Sequence, residues 1–295
     1  MYITLEPCNH YGKTPPCTNK IIDSGIKEVF YPIDDIDKKV KGKSFKILKR
    51  KKILVKKGLM KKEAKDLYDS YFVNRNNRLP YVTGKIAITK NKLIYVEGTK
   101  RITDLYSDKF THYLRYKNDA IMISSKTLNK DNPMLNCRLK GYEKFSPIRI
   151  ILDKNLETKL NSYIFRTSNK NNTIIFHDSS DKNKIQILKQ KKIKLVKLKI
   201  NTKKIFNLKQ ILKKLYSFGI RTLLVEGGDK ITKNFIKLKL FNQFYMFKSP
   251  KILNKDKDYV DFTSYHILKK NYFQRFKISS KLAKDNITIY KRQNV

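Results

Sequence analysis

Two cysteines constrain this chain more than any other residues. Cys8 and Cys17 close the run Thr4-Leu5-Glu6-Pro7-Cys8-Asn9-His10-Tyr11-Gly12-Lys13-Thr14-Pro15-Pro16-Cys17, with eight residues between them and a proline before each. A catalytic zinc takes three protein ligands and a water, so the pair supplies two ligands of three. Thr14-Pro15-Pro16 predicts a helix start, because proline fits the first turn where no N–H partner is needed. Ile21 and Ile22 give that helix an apolar face and Gly25 its stop. Cys17 then lies in the first turn, where the helix dipole lowers a thiol pKa. Met1–Leu5 is expected to form a strand ending at Cys8. The remaining zinc ligand and a proton-moving glutamate are expected upstream of Met1. Without that segment, Leu5, Ile21, Ile22 and Val29 present one side of a core with nothing to cover it.

Nucleic-acid deaminases close their zinc pair as Pro-Cys-x-x-Cys. The longer loop here carries His10, Lys13 and Thr14, a cation and hydrogen-bond donors suited to a phosphorylated nucleotide-like substrate. The run closely resembles the Thr-Leu-Glu-Pro-Cys-x-His-x-Gly-x-Thr-Pro-Pro-Cys stretch of the bifunctional riboflavin-biosynthesis deaminase/reductase family. The chain is therefore expected to begin with a truncated cytidine-deaminase-like α/β domain.

Of 295 residues, 67 are Lys or Arg and 25 are Asp or Glu, a formal charge of +42. Such an excess raises a nucleic-acid-binding reading, since polyphosphate attracts basic surfaces. The lysines are spread over the whole chain, however, and are not concentrated on one element with stacking aromatics between them. A nucleic-acid partner is accordingly not expected. Three cysteines make no disulfide framework. No apolar run reaches the ~20 residues that span a bilayer, and no signal segment precedes Tyr2. The expectation is a cytoplasmic protein with no membrane partner.

Strands are expected at Glu28–Ile33 and Lys52–Lys57, and a helix from Met60 to about Asn74 on Ala64, Leu67, Tyr68 and Tyr71. Asn74-Arg75-Asn76-Asn77-Arg78-Leu79-Pro80 is the best domain break, giving domains 1–78 and 79–295. Beyond it, strand and helix patterns alternate: Tyr81–Thr89, a helix 104–117 capped by Thr103, Ala120–Ser124, Ile148–Asp153, Thr173–His177 and Lys194–Leu198. A helix face at Leu208, Ile211, Leu212 and Leu215 closes at Gly219, and Thr222–Val225 is a buried-type strand. The tail alternates through Tyr272–Ile278 and Asn286–Lys291 as an antiparallel pair. These patterns predict α/β with a mostly parallel sheet and an antiparallel finish. The lysine-rich stretches 38–57 and 183–204 are expected to be solvated loops and faces.

Leu223-Leu224-Val225-Glu226-Gly227-Gly228 leads into a helix over Asp229–Leu240, with Ile231, Phe235 and Leu238 inward. A strand, a Gly-Gly turn and a helix N-terminus form a phosphate-binding unit. The dinucleotide fingerprint Gly-x-Gly-x-x-Gly is absent. Arg115 and Arg138 are candidates to grip a phosphate in fork geometry.

These features match the reductase half of the same family, whose fold is like dihydrofolate reductase. The resemblance implies NADPH-dependent reduction of the ribosyl group of a phosphoribosylaminopyrimidine to the ribityl form. It places Thr99, Arg115, Leu135, Arg138 and Glu226 around the substrate. It places Ile88, Arg101, Thr127, Asp131, Gly228, Asp229, Lys230, Ile231, Thr232, Lys233 and Asn234 along the cofactor, points Lys85 at the site, and implies a homodimer through the reductase domain. Thr89-Lys90-Asn91-Lys92 and Arg101 depart from the family pattern. A working reductase attached to a deaminase remnant is the leading reading. A complete zinc deaminase plus reductase, with a further N-terminal segment or separate polypeptide supplying what is missing, is the second. A basic nucleic-acid-binding protein on an enzyme scaffold is the third.

Overall fold

The computed structural model describes residues 1–169, 172–272, 274–278 and 284–292. It divides into two compact units, Met1–Leu79 and Pro80–Val295.

The first unit runs α1 (Cys17–Asp23), β1 (Glu28–Tyr31), α2 (Lys43–Arg50), β2 (Leu54–Lys57) and α3 (Lys61–Asn77). β1 and β2 pair in parallel. Met1–Leu5 is not a strand: Tyr2 makes one isolated bridge to Phe30, and the chain then leaves the ladder when the Glu6 amide donates to the Ile33 carbonyl. The polar stretch expected to be a loop contains α2. Its Leu48 is fully buried and packs with Ile53 against Ile21, Val29 and Tyr31, so the small core expected to lie open is covered. Lysines at 43, 46 and 49 on the outer face make the stretch read as polar, although Phe45, Ile47 and Leu48 give the helix an apolar face two turns long. Leu67, expected on the inner face of α3, is exposed.

The second unit continues β3 (Tyr81–Ile88), β4 (Leu93–Val96), α4 (Leu105–Tyr116), β5 (Ala120–Ser124), α5 (Ser125–Asp131), β6 (Ile148–Leu152), α6 (Tyr163–Arg166), β7 (Thr173–His177), α7 (Lys182–Gln190), β8 (Lys194–Lys197), α8 (Leu208–Ser217), β9 (Thr222–Val225), α9 (Asp229–Lys237), β10 (Gln243–Lys248), β11 (Tyr259–Asp261), α10 (Tyr265–Asn271), β12 (Gln274–Ile278) and β13 (Asn286–Lys291). Among the described residues nine strands form one sheet, ordered β12-β13-β10-β3-β9-β5-β6-β7-β8. β10 through β8 run parallel, and β13 is antiparallel to both neighbours. The sheet is thus mixed α/β with an antiparallel finish, as the alternating patterns predict.

The central strands read as continuous apolar runs because helices cover both faces of a parallel sheet. Ile121, Ile123, Ile151, Ile175 and Leu224 are fully buried in one core. Each stabilises the fold by roughly 1.5–3 kcal/mol relative to exposure, so this central block fixes where the strand ends fall. Gly84 is needed where β3 meets β10: a Cβ there would run into the Phe244 ring, its register partner, and the Phe241 ring. Three expectations change in this unit. The cap of α4 is Asp104, whose carboxylate accepts the Ser107 amide at 2.8 Å, not Thr103. The 183–204 stretch contains α7 and β8. Leu238 is an exposed C-cap residue, since α9 ends at Lys237.

Candidate active-site cleft

Ligands of parallel sheets collect outside the carboxyl ends of the strands. A cleft of about 1120 Å³ lies there, reached by the second half of β3, the ends of β5, β6 and β9, the first turns of α5 and α9, and the β4 and β11 strands. Its wall includes Thr99, Arg101, Arg115, Thr127, Asp131, Leu135, Gly228, Asp229, Lys230, Ile231, Asn234 and Glu226, together with Lys85. Four further expectations fall off the wall. Ile88 is fully buried in β3. Thr232 is buried, with its hydroxyl on the Gly227 carbonyl. Lys233 reaches out to the Thr263 hydroxyl. Arg138 is exposed and bonds Asn136 Oδ1 at 3.0 Å.

Arg115 in the last turn of α4 and Glu226 at the end of β9 form the polar centre. Arg115 Nε and Nη2 donate to Glu226 Oε1 and Oε2, each at 2.9 Å, and Nη1 donates to the Asn136 carbonyl at 3.2 Å. Both side chains are nearly buried, at 11% and 14% exposure. A bidentate pair of this kind is geometrically specific. The guanidinium fork expected to hold a phosphate is therefore turned onto Glu226, and Arg138 does not join it. Burial pushes the Glu226 carboxyl up, but the charge and hydrogen bonds of Arg115 outweigh it and hold the group below its ordinary value. Burial depresses the Lys85 ammonium, with Glu226 opposing the shift. Lys85 also sits 5.0 Å from the Phe247 ring centroid.

The Gly-Gly turn gives the cleft its anion-binding floor. Gly228 caps α9 without a side chain. The Thr232 amide returns to the Gly228 carbonyl, so the first-turn amides of residues 229–231 lack helical acceptors. Such amides, with the helix dipole behind them, favour an anion. A Cβ on Gly227 would run into Ile231 Cγ2, whereas one on Gly228 would meet only Thr127 Oγ1, at 3.9 Å. Asp229, expected along the cofactor, spends its carboxylate on the Thr263 amide and hydroxyl and the Ser264 hydroxyl.

His112, which no sequence motif marks, supports this wall from behind. It is buried, and the Arg138 amide donates to its Nδ1 at 3.2 Å. Burial lowers its pKa, with Arg115 and Arg138 adding to the shift. The wall also includes Lys154, Glu157, Lys204, Ile205 and Phe206, which no motif marked. Asn207 caps α8 by accepting the Gln210 amide, and that cap was the available signal that the preceding loop ends beside the strand termini. Counting the whole lining, nine Lys and Arg face four Asp and Glu.

The cysteine loop of the first unit is arranged differently. Cys17 does start α1, and its amide donates to Cys8 Sγ at 3.2 Å. The Cys17 thiol is pushed up, first by its side-chain hydrogen bond with Cys8 and then by burial, so the expected lowering by the helix dipole does not prevail. Lys13 and Thr14 are exposed. His10 Nδ1 is buried without a partner. Among the described residues no three His, Cys, Asp or Glu side chains are grouped to hold a metal. Two thiols alone do not meet the donor set of zinc, which takes three or four protein ligands.

A mixed α/β sheet with a basic cleft at its strand ends, a glycine-capped helix start and a nearly buried ion pair on its wall is the arrangement of an α/β enzyme domain. The model of the RibD C-terminal domain matches residues 84–279. The riboflavin biosynthesis protein RibD of Aquifex aeolicus is 37% identical over 257 residues, which is 86% of this chain and 70% of that protein. The chain therefore belongs to the RibD family of riboflavin-biosynthesis enzymes. Among solved structures, a diaminohydroxyphosphoribosylaminopyrimidine deaminase/5-amino-6-(5-phosphoribosylamino)uracil reductase from Thermotoga maritima superposes with a TM-score of 0.77 at 29% identity. That match covers 99% of this chain and 78% of the other. RibD of Acinetobacter baumannii shares the fold, with a TM-score of 0.80 at 22% identity over 99% of this chain and 80% of that one. Among the described residues no helix is long and apolar enough to cross a membrane.

Proposed function

We propose that the Pro80–Val295 unit, dihydrofolate-reductase-like in fold, is an NADPH-dependent reductase. It converts the ribosyl group of 5-amino-6-(5-phosphoribosylamino)uracil to the ribityl form in the cytoplasm. The observation that carries this reading is the union, in one cleft, of the Arg115–Glu226 pair, the Gly228-capped start of α9 and a net excess of cations. Two phosphorylated ligands bound side by side require such an excess.

When bound, NADPH supplies the hydride. The residues fit it: Gly228, lacking a side chain, lets a pyrophosphate approach the open amides of residues 229–231, with Thr127 on the facing helix start. The protein's remaining work is orientation and the accompanying proton. Arg115 keeps Glu226 ionised, so Glu226 accepts hydrogen bonds from sugar hydroxyls instead of giving up a proton. Lys85 has its proton loosened by burial and faces the same wall, and it would give that proton to the ribose ring oxygen O4′ as the C1′–O4′ bond opens, the counterpart of the hydride gained at C1′. Leu135, buried and held at φ 55°, keeps that wall dry. Lys85→Met is expected to abolish turnover, and Lys85→Arg to retain binding while removing the alkaline limb of the pH–rate profile.

The Met1–Leu79 unit corresponds in this reading to part of a deaminase domain, supported by its inclusion in the match to the Thermotoga deaminase/reductase. Purified protein mixed with the deaminated phosphoribosylamino substrate should consume NADPH, and no consumption there removes the reductase reading. Release of ammonia from the aminated pyrimidine, with zinc supplied, would add deaminase activity to this reading. Pairing of reductase units into a homodimer is expected by size-exclusion with light scattering.

A further inference from the structure

The loop that carries Leu135 onto the cleft wall spans residues 133–138, between α5 and β6. Leu135 is buried at φ 55°, a left-handed conformation that a non-glycine residue keeps only where its neighbours hold the backbone. Three side chains hold it. The Cys137 amide donates to the Ser146 hydroxyl at 3.1 Å, Arg115 Nη1 donates to the Asn136 carbonyl at 3.2 Å, and the Arg138 amide donates to His112 Nδ1 at 3.2 Å. His112 Nδ1 also lies 3.2 Å from the Asn136 carbonyl, so one nitrogen stands between a donor and an acceptor and can serve only one of them. What each would lose decides between them. The Asn136 carbonyl already accepts from Arg115, whereas the Arg138 amide meets no other acceptor among the described residues, and a part-buried amide left unpaired is costly. Nδ1 is therefore the acceptor, and the neutral ring carries its hydrogen on Nε2.

We propose that His112 is a positioning residue for the cleft: its Nδ1 lone pair, by holding the Arg138 amide, fixes the 133–138 loop with Leu135 on the wall and leaves the Asn136 carbonyl to Arg115, which keeps the guanidinium turned onto Glu226. A proton on Nδ1 reverses both effects. The Arg138 amide loses its acceptor, and the new N–H competes with Arg115 for the Asn136 carbonyl. The charged groups around the ring set where this happens. Arg138 faces it from the loop, Arg115 and Asp108 from its own helix, and Glu226 from the end of β9, while the Cys137 thiol donates to the His112 carbonyl at 3.6 Å. Burial and the two arginines hold the imidazole below its ordinary value, against Asp108 and the Asn136 carbonyl. The lone pair is thus kept at neutral pH and lost only on acidification. The consequence for turnover rests on the reductase reading, whereas the consequence for the loop does not.

Nitrogen NMR of the full chain reads the ring directly. At neutral pH His112 should carry its hydrogen on Nε2, and the Arg138 amide shift should titrate together with the ring. A hydrogen on Nδ1 of the neutral ring overturns the proposal, as does an Arg138 amide that ignores the His112 titration. His112→Asn puts an oxygen near the Nδ1 position, where it accepts the same amide without titrating. It should keep kcat/KM close to wild type at neutral pH and move the acid limb of the pH–rate profile to lower pH. His112→Leu keeps bulk but offers no acceptor, and it should raise KM for the phosphoribosyl substrate about tenfold, the size of one lost hydrogen bond, with a smaller change in kcat. An unchanged KM with only a lowered melting temperature assigns the ring to packing alone and overturns the proposal. An acid limb identical in wild type and His112→Asn does the same. A chain that oxidises no NADPH removes the reductase reading, and the NMR measurements then decide the role of His112 by themselves.

Discussion

Glu6 and Glu226 each follow a short apolar run beside a motif that the sequence advertises, and each is a buried carboxylate. They are satisfied in opposite ways. Glu6 Oε2 accepts the Asp35 and Gly42 amides at 3.1 and 3.0 Å, and Oε1 accepts the Ser44 amide at 3.2 Å. Backbone donors consume it, and it ties the Thr4–Cys17 run to the loop ahead of α2. Glu226 meets a side chain instead, at the wall of a cleft with surplus positive charge. A carboxylate satisfied by amides holds a fold, and one satisfied by a single arginine sets the charge pattern that a ligand meets. The two carboxylates differ in the same sense: one is spent on the backbone of its own unit, the other lines a cleft.

The largest effect should come from breaking the pair that defines the second region. Arg115→Ala leaves Glu226 buried without its partner, which costs about 3–5 kcal/mol. Urea unfolding should show that loss, and NADPH turnover should vanish. A midpoint near wild type would mean that Glu226 is no more demanding than a surface carboxylate. Next comes the glycine pair. Gly227→Ala drives a methyl into Ile231 and should cost about 1–3 kcal/mol, as overpacking does. Gly228→Ala meets only Thr127 Oγ1 at 3.9 Å, and its φ of −66° suits any residue. It should leave stability nearly unchanged yet raise KM for NADPH, because in the proposed binding mode the methyl stands where the pyrophosphate approaches. Equal stability losses in the two variants would undo the distinction between a packing glycine and a binding glycine.

Much of the second unit was legible because parallel strands buried on both faces leave uninterrupted apolar runs. Ala120–Ser124, Thr173–His177 and Thr222–Val225 have the predicted bounds for that reason. Amphipathic elements hidden by lysine were not legible. α2 and α7 each carry an apolar face, Phe45, Ile47 and Leu48 on one and Ile185 and Leu188 on the other, but both are short and the lysines between these positions make the stretches read as polar. At the cleft, local motifs marked Glu226 and the Gly-Gly turn, but pairing is a property of the fold. Arg115 and Glu226 are 111 residues apart, and nothing in either segment shows that they close on each other. Lys154 and Lys204 carry no pattern at all and become part of a wall only through the order of strands.

The first region yields smaller effects, and they should stay separate from the cleft. Glu6→Gln replaces an acceptor oxygen with a donor group facing backbone amides, a loss of about 1–3 kcal/mol. Hydrogen exchange at the Asp35, Gly42 and Ser44 amides should speed up while NADPH turnover is unchanged. A fall in turnover would show that the frame of the first unit is needed by the second.

Smallest is the cysteine pair. Cys17 is exposed and Cys8 is half-buried, and they are linked by the Cys17 amide donated to Cys8 Sγ and by a hydrogen bond between the two side chains, both of which serine hydroxyls can also make. Cys8→Ser with Cys17→Ser should therefore change stability by no more than about 0.5 kcal/mol, the range of surface substitutions. Metal analysis after dialysis against zinc should find the same low content in wild type and variant, because two thiols without a third ligand hold zinc weakly. One zinc per chain in wild type, lost in the double variant, would reverse the comparison: the first region would then retain a site, and a third ligand would have to be sought for it.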